Sequence, residues 1–209
     1  MDADGKIKIL FISANPLDGS SSPLRVDQEF RDIQEQIRMS KHREKFQLEI
    51  RPAARPRDIS QAILEVEPNI VHFSGHGYDT GELCFESMDG SAQPVDPEAL
   101  ADLFEIAAEH VHAVVLNACY SVDQAEAIAQ HIPYVVGMND AIGDKAAITF
   151  SVGFYKALGA GKSVADAFKV GRVELKLEGI PESDTLVLHH QRPLAEPVRW
   201  SLSVEGTVD

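Results

Sequence analysis

Ile70-Val71-His72-Phe73-Ser74-Gly75-His76-Gly77 is a short apolar run that breaks off at Ser-Gly-His-Gly. Val114-Val115-Leu116-Asn117-Ala118-Cys119-Tyr120-Ser121 echoes it with a different break. A short apolar run before such a break reads as a buried strand of a parallel sheet. Open α/β sheets place their ligands just past the carboxyl ends of such strands. Here a histidine and a cysteine stand at those ends.

The flanking sequence fits the same pattern. Upstream, residues 6–13 (Lys-Ile-Lys-Ile-Leu-Phe-Ile-Ser) read as the first strand, followed by a polar loop through Asn15, Asp18 and Ser20-Ser21-Ser22. Residues 25–40 form a helix whose apolar stripe is Val26, Phe30, Ile33 and Ile37, with the charged remainder expected in solvent. Residues 46–51 alternate as a second strand, and a helix over 58–66 leads into the strand that carries His76. Beyond it, residues 81–86 suggest a short strand turned at Asp89-Gly90 into a hairpin. Asp96-Pro97 marks a helix start, and residues 113–116 are the strand that carries Cys119. Asp123 is expected to cap the next helix, residues 134–138 form a fifth strand, and helices start at Lys145 and after Ser163. Residues 185–189 read as a sixth strand and 199–204 as a late one. Strands alternating with helices predict one α/β domain over 1–209, with its core at about 6–190 and a mainly parallel sheet of about six strands.

Composition narrows the function. The chain carries 19 basic and 33 acidic residues, a net charge of −14, and is 44% hydrophobic. The hydrophobic share supports a sizeable core. The charge argues against nucleic acid and anionic membrane as partners, since both need a basic face. Met1-Asp2-Ala3-Asp4 does not resemble a secretory signal, and no apolar stretch reaches membrane-span length. The expected setting is a reducing cytoplasm, where the two cysteines, Cys84 and Cys119, stay free.

A thiol becomes a strong nucleophile when a neighbouring imidazole takes its proton. Adjacent parallel strands lie only about 5 Å apart, so two residues at their ends can meet. If the sheet order is the common 2-1-3-4-5, His76 and Cys119 meet in this way. The glycines around His76 allow a sharp turn, and the Gly77 and Cys119 amides are candidate oxyanion donors. Cys84, between Leu83 and Phe85, reads as a buried small hydrophobe. His72 lies within its strand and faces a helix. A zinc site from His72, His76, Cys84 and Cys119 matches no familiar spacing.

The His-Phe-Ser-Gly-His-Gly at 72–77 and Leu-Asn-Ala-Cys-Tyr-Ser at 116–121 resemble the CHAT domain, a branch of the caspase-like clan CD cysteine peptidases related to separase. Residues 136–147 and 154–164 fit the same resemblance. It implies a caspase-like three-layer sandwich, with His76 as general base, Cys119 as nucleophile and the Gly77 and Cys119 amides as the oxyanion hole. It implies no cofactor and no metal. Relatives resembling separase cut after a basic residue, usually Arg, so the specificity pocket needs a carboxylate. Asp144 matches an acidic position in the comparable separase loop; Asp140 and Asp18 are the other candidates. Asp144 or Asp140 could instead simply cap the helix that follows. The implied partners are a protein substrate with a basic cleavage site and a regulator or sensor acting in trans, or a second copy of this protein. The resemblance also suggests bacterial defence or cell death as the setting.

Three readings follow. The first is an endopeptidase working through a thioester. The second is a catalytically silent, caspase-like interaction module. The third is a flavodoxin-like phosphate binder using residues 15–22, a loop without an ordered glycine fingerprint.

Overall fold

The computed structural model describes residues 5–16 and 23–190. Asp18, Ser20-Ser21-Ser22 and the strand expected at 199–204 lie outside the described residues.

A central sheet is sandwiched between two helical layers. Strand β1 (Ile7–Ala14) pairs in parallel with β2 (Phe46–Arg51) and with β3 (Ile70–Gly77). Strand β3 pairs in parallel with β6 (Ala113–Asn117), and β6 with β7 (Tyr134–Met138). The last strand, β8 (Leu186–His190), is antiparallel to β7. The order β2-β1-β3-β6-β7-β8 is the expected 2-1-3-4-5 with one strand added. The hairpin β4 (Leu83–Glu86) and β5 (Ala92–Val95) branches from the end of β3.

Strand parity sorts the core into two halves. Leu10, Ile12, Val71, Phe73, Val114 and Leu116 face α2 (Pro56–Val66), α3 (Pro97–Ala107) and α4 (Val122–Ile128). Ile7, Ile9, Phe11, Val115 and Val136 face α1 (Val26–Met39), α5 (Asp144–Gly159) and α6 (Val164–Leu177). Successive residues of a strand point to opposite faces, so both halves come from the same strands. On β3 this parity leaves Val71 and Phe73 on one face and His72, Ser74 and His76 on the other.

Side-chain caps set two of the helix starts. The Asp96 carboxylate accepts from the Glu98 N–H at 2.8 Å, with Pro97 at the first helical position of α3. The Ser163 hydroxyl accepts from the Asp166 N–H at 3.1 Å to open α6. Two expected starts differ. Helix α4 is preceded by Ser121, not capped by Asp123; the Ser121 hydroxyl instead donates to the Leu116 and Ala118 carbonyls. Helix α5 begins at Asp144 behind Gly143, and the Asp144 side chain makes no cap. Among the described residues no helix is long and apolar enough to cross a membrane.

Candidate active site

Strand β3 does not turn before His76, as its flanking glycines suggested. It runs on to Gly77, and His76 and Gly77 pair with Cys84 and Leu83 of β4. The glycines serve close approach instead. A Cβ on Gly75 would lie 2.8 Å from the Ala14 carbonyl oxygen. A Cβ on Gly77 would lie 1.9 Å from the Cys119 carbonyl oxygen. Only a residue without a side chain lets the end of β3 lie against the Cys119 turn.

Strand β6 ends at Asn117, and Cys119 sits in the turn after it. The next residue, Tyr120, is held at φ 52, an uncommon conformation for a residue with a side chain. Its N–H donates to the Asp140 carbonyl at 3.3 Å, which ties the turn to the loop after β7. The Ile142 N–H from that loop lies 3.4 Å from Cys119 Sγ.

One small cavity is lined by His76, Cys119, Ser74, Gly75, Asn117, Glu29, Leu24, Ile142 and Asp144, among others. The two sequence-predicted dyad residues therefore share one cleft, at the carboxyl ends of neighbouring strands. Its free volume is about 30 Å³, room for a water and not for a side chain.

Asn15, at the end of β1, orients the histidine. Its Nδ2 donates to the Leu24 carbonyl at 3.3 Å, which fixes which end of the amide is the oxygen. That Oδ1 lies 3.1 Å from His76 Nε2. An amide oxygen only accepts, so Nε2 carries the hydrogen and Nδ1 is the basic nitrogen of the neutral ring. The sequence puts the loop that begins at Asn15 at the carboxyl edge of the sheet, near any active site, but gives Asn15 itself no role beside His76. Its position after β1, the strand beside β3, was the available signal.

Beneath His76 and Cys119 lies a buried polar network, also missed from sequence. Glu29 was placed on the solvated side of α1 but is 3% exposed. Its Oε1 accepts from His72 Nε2 at 3.0 Å, Asn117 Nδ2 at 2.5 Å and the Ser151 hydroxyl at 2.7 Å. Its Oε2 accepts from the Ser74 hydroxyl at 2.5 Å. His72 Nδ1 lies 3.1 Å from the Tyr155 hydroxyl. Burial pushes the Glu29 carboxyl up, but His72 and the Ser151 and Ser74 hydroxyls outweigh it and hold it below its ordinary 4.5. Burial, with Glu29 nearby, pushes the Tyr155 phenol well above its ordinary value and keeps it neutral. A signal was present: Glu29 stands three residues after Val26 and four before Ile33, on the apolar stripe itself.

Of the carboxylates proposed for specificity, Asp144 lines the cavity and Asp140 does not. Asp144 Oδ2 is 2.7 Å from Arg25 Nε, and its Oδ1 accepts from the Arg25 N–H at 3.2 Å. Asp140 is exposed and bonds the Ala141 N–H at 2.7 Å. It is the main reason the neighbouring Tyr120 phenol is raised. Cys84 is fully buried, as its neighbours suggested. Among the described residues no group of three or more His, Cys, Asp or Glu side chains could hold a metal.

A family model for the CHAT domain matches residues 8–203. This chain belongs to the CHAT domain family. Two curated relatives are named as proteases. A Roc-COR-CHAT protease from an unknown prokaryotic organism is 25% identical over 193 residues, covering 89% of this chain and 18% of the relative. A protein named "Probable protease", from Gillisia limnaea (strain DSM 15749 / LMG 21470 / R-8282), is 23% identical over 152 residues, covering 72% of this chain and 26% of its own length. The chain thus spans about a fifth to a quarter of the relatives it matches. Among solved structures, the Arg-specific cysteine proteinase gingipain R superposes with a TM-score of 0.63 at 14% identity. That match covers 97% of this chain and 50% of gingipain R. The CHAT domain described here therefore has the caspase-like fold, with a mostly parallel six-strand sheet.

Proposed function

We propose that this CHAT domain is a cysteine endopeptidase that cuts protein substrates after arginine. The observation that carries the reading is the shared cavity of His76 and Cys119, with Nε2 of His76 engaged on Asn15. Nδ1 takes the thiol proton as Sγ attacks the scissile carbonyl carbon. The tetrahedral oxyanion is met by the Gly77 and Cys119 amides. Collapse breaks the C–N bond, and the proton on Nδ1 leaves with the amine. Water, giving a proton to Nδ1, then attacks the thioester; Sγ leaves, recovers that proton, and the acid product departs.

Arginine preference rests on Asp144. It lies in the wall of the Cys119 cavity and already holds a guanidinium, that of Arg25. Nearby, Asn117 Oδ1 is a buried acceptor with no hydrogen-bond partner among the described residues. Carboxylates and an unfilled acceptor suit a donor-rich cation. A substrate arginine would displace Arg25 and open the cavity beyond its present 30 Å³.

That small volume favours a second reading: a latent enzyme or a silent interaction module. Regulation by a partner in trans or by a second copy would act by opening this cavity. A bacterial defence or cell-death role in the cytoplasm is part of the proposal and rests on the family resemblance.

The test is a peptidyl-Arg fluorogenic substrate under reducing conditions. Wild type should release fluorophore and Cys119→Ala should not. Asp144→Ala should abolish cleavage after Arg with the fold intact, and Arg25→Ala should lower KM. Release by Cys119→Ala would overturn the dyad, and unchanged cleavage by Asp144→Ala would remove it from specificity. If wild type is silent, labelling of Cys119 by a covalent Arg-directed probe supports latency, and no labelling supports the silent module.

A further inference from the structure

The dyad sits on the last rung of one ladder. Ser74 and Asn117 are register partners, the final pair joining β3 to β6. Each lies two residues before a dyad member, His76 on one strand and Cys119 on the other. Both side chains bond the same carboxylate, Glu29, at 2.5 Å each. Ser151 of α5 adds a third bond and His72 of β3 a fourth. Glu29 comes from α1, so one buried side chain joins α1, β3, β6 and α5 directly beneath the cavity.

We propose that Glu29 is a positioning residue for the His76–Cys119 dyad. Its role is to clamp the Ser74–Asn117 rung, so that the two strand ends cannot shear or part. A carboxylate suits this task because it only accepts and has about four acceptor sites. Four donors use it, three on Oε1 and one on Oε2, each from a fixed backbone element. A neutral amide in its place offers one acceptor oxygen and brings two hydrogens, so the Ser74 hydroxyl can no longer donate and must turn to accept, and the charge-assisted bonds become weaker neutral ones. The network has a far end as well. Tyr155 reaches Glu29 only through His72 and does not touch the rung. Stability and positioning are therefore separable: the far end contributes to the first, the near end to both.

The inference rests on the dyad reading above, and its test keeps the two apart. The variants are Glu29→Gln, Ser74→Ala and Tyr155→Phe in the full chain. The readouts are the rate of Cys119 carboxamidomethylation by iodoacetamide at neutral pH, thermal unfolding, and kcat and KM on peptidyl-Arg where turnover is present. Positioning predicts that Glu29→Gln and Ser74→Ala slow the alkylation at least tenfold. They should also lower kcat tenfold or more, with KM within twofold. Tyr155→Phe should lower the unfolding temperature but keep both rates within twofold of wild type. The sign of the alkylation change separates geometry from charge. Removing a nearby anion favours the thiolate and would speed alkylation; loosening the dyad slows it.

Equal rates in wild type, Glu29→Gln and Ser74→Ala would overturn the inference, as would equal slowing by Tyr155→Phe. Glu29→Gln alone could fail to fold; Ser74→Ala removes a single hydroxyl and then decides. A wild-type Cys119 no faster than a free thiol peptide would instead sink the dyad reading itself. Rapid alkylation without peptide turnover would sink only the peptidase activity and leave the clamp testable.

Discussion

One half-buried amide, that of Asn15, sets how the His76 ring is presented. An imidazole serves as a base only if the right nitrogen is unprotonated, and Asn15 settles which. Its Nδ2 is committed to the Leu24 carbonyl, so Oδ1 is the atom presented to His76 Nε2. Asn15→Ala removes the acceptor and frees the ring to change tautomer or swing. The expected result is a fall in kcat of about 10- to 100-fold, less than the roughly 100- to 10,000-fold that acid–base catalysis contributes because the base itself is kept, with KM little changed. Steady-state kinetics on the peptidyl-Arg substrate checks this; a kcat within twofold of wild type would show that Asn15 does not orient the base. The meeting of His76 and Cys119 in one cleft was legible in the sequence because each follows an apolar run at a strand end. Asn15 was not, because its partner is 61 residues away and nothing local marks an acceptor for a distant ring.

Element boundaries explain where sequence reading succeeded and where it stopped. The alternation in β1 and β3 fixed strand faces, and the spacing of strands and helices fixed a parallel core. Three local signals misled. Gly75 and Gly77 looked like a turn but are there because neighbouring backbone is close. Asp123 looked like a cap, yet Ser121 precedes α4 and spends its hydroxyl on carbonyls. Glu29 looked solvated because charged side chains usually are, while the donors that hold it lie on three other elements. Gly77 gives the element-scale test. An added Cβ would sit 1.9 Å from the Cys119 carbonyl oxygen and 3.1 Å from its carbon. Both are backbone atoms, so no side-chain rotation can relieve the overlap; the end of β3 and the β6 turn must separate. A misplacement of about 1 Å costs on the order of 100-fold in rate. Gly77→Ala should therefore lose activity to that degree and lower the urea midpoint, because backbone has to move, while circular dichroism shows the fold retained. Retained activity would show that this close approach does not set the dyad.

At the scale of the whole molecule, the two halves of the core are unequal in kind. The half under α2, α3 and α4 is a continuous apolar cluster, whereas the half under α1, α5 and α6 encloses Glu29, His72, Ser151 and Tyr155. A charge in the second half links folding to pH. Glu29 is held below its ordinary 4.5 in the folded chain, so the unfolded chain takes up the proton first as pH falls. The stabilisation from this depressed carboxyl is fully present above 4.5 and is lost as pH falls below that value through the folded one. The many exposed acidic residues add their own acid dependence, so wild type alone does not isolate Glu29. The difference between wild type and Glu29→Gln does. Urea unfolding from neutral pH to about 3 should give a wild-type curve that loses stability more steeply below 4.5 than the variant, which lacks the titrating group. The two curves should converge toward the acid end and stay furthest apart near neutrality. Parallel curves across the whole range would mean that Glu29 has the same proton affinity folded and unfolded, and the network would then be held together without its charge.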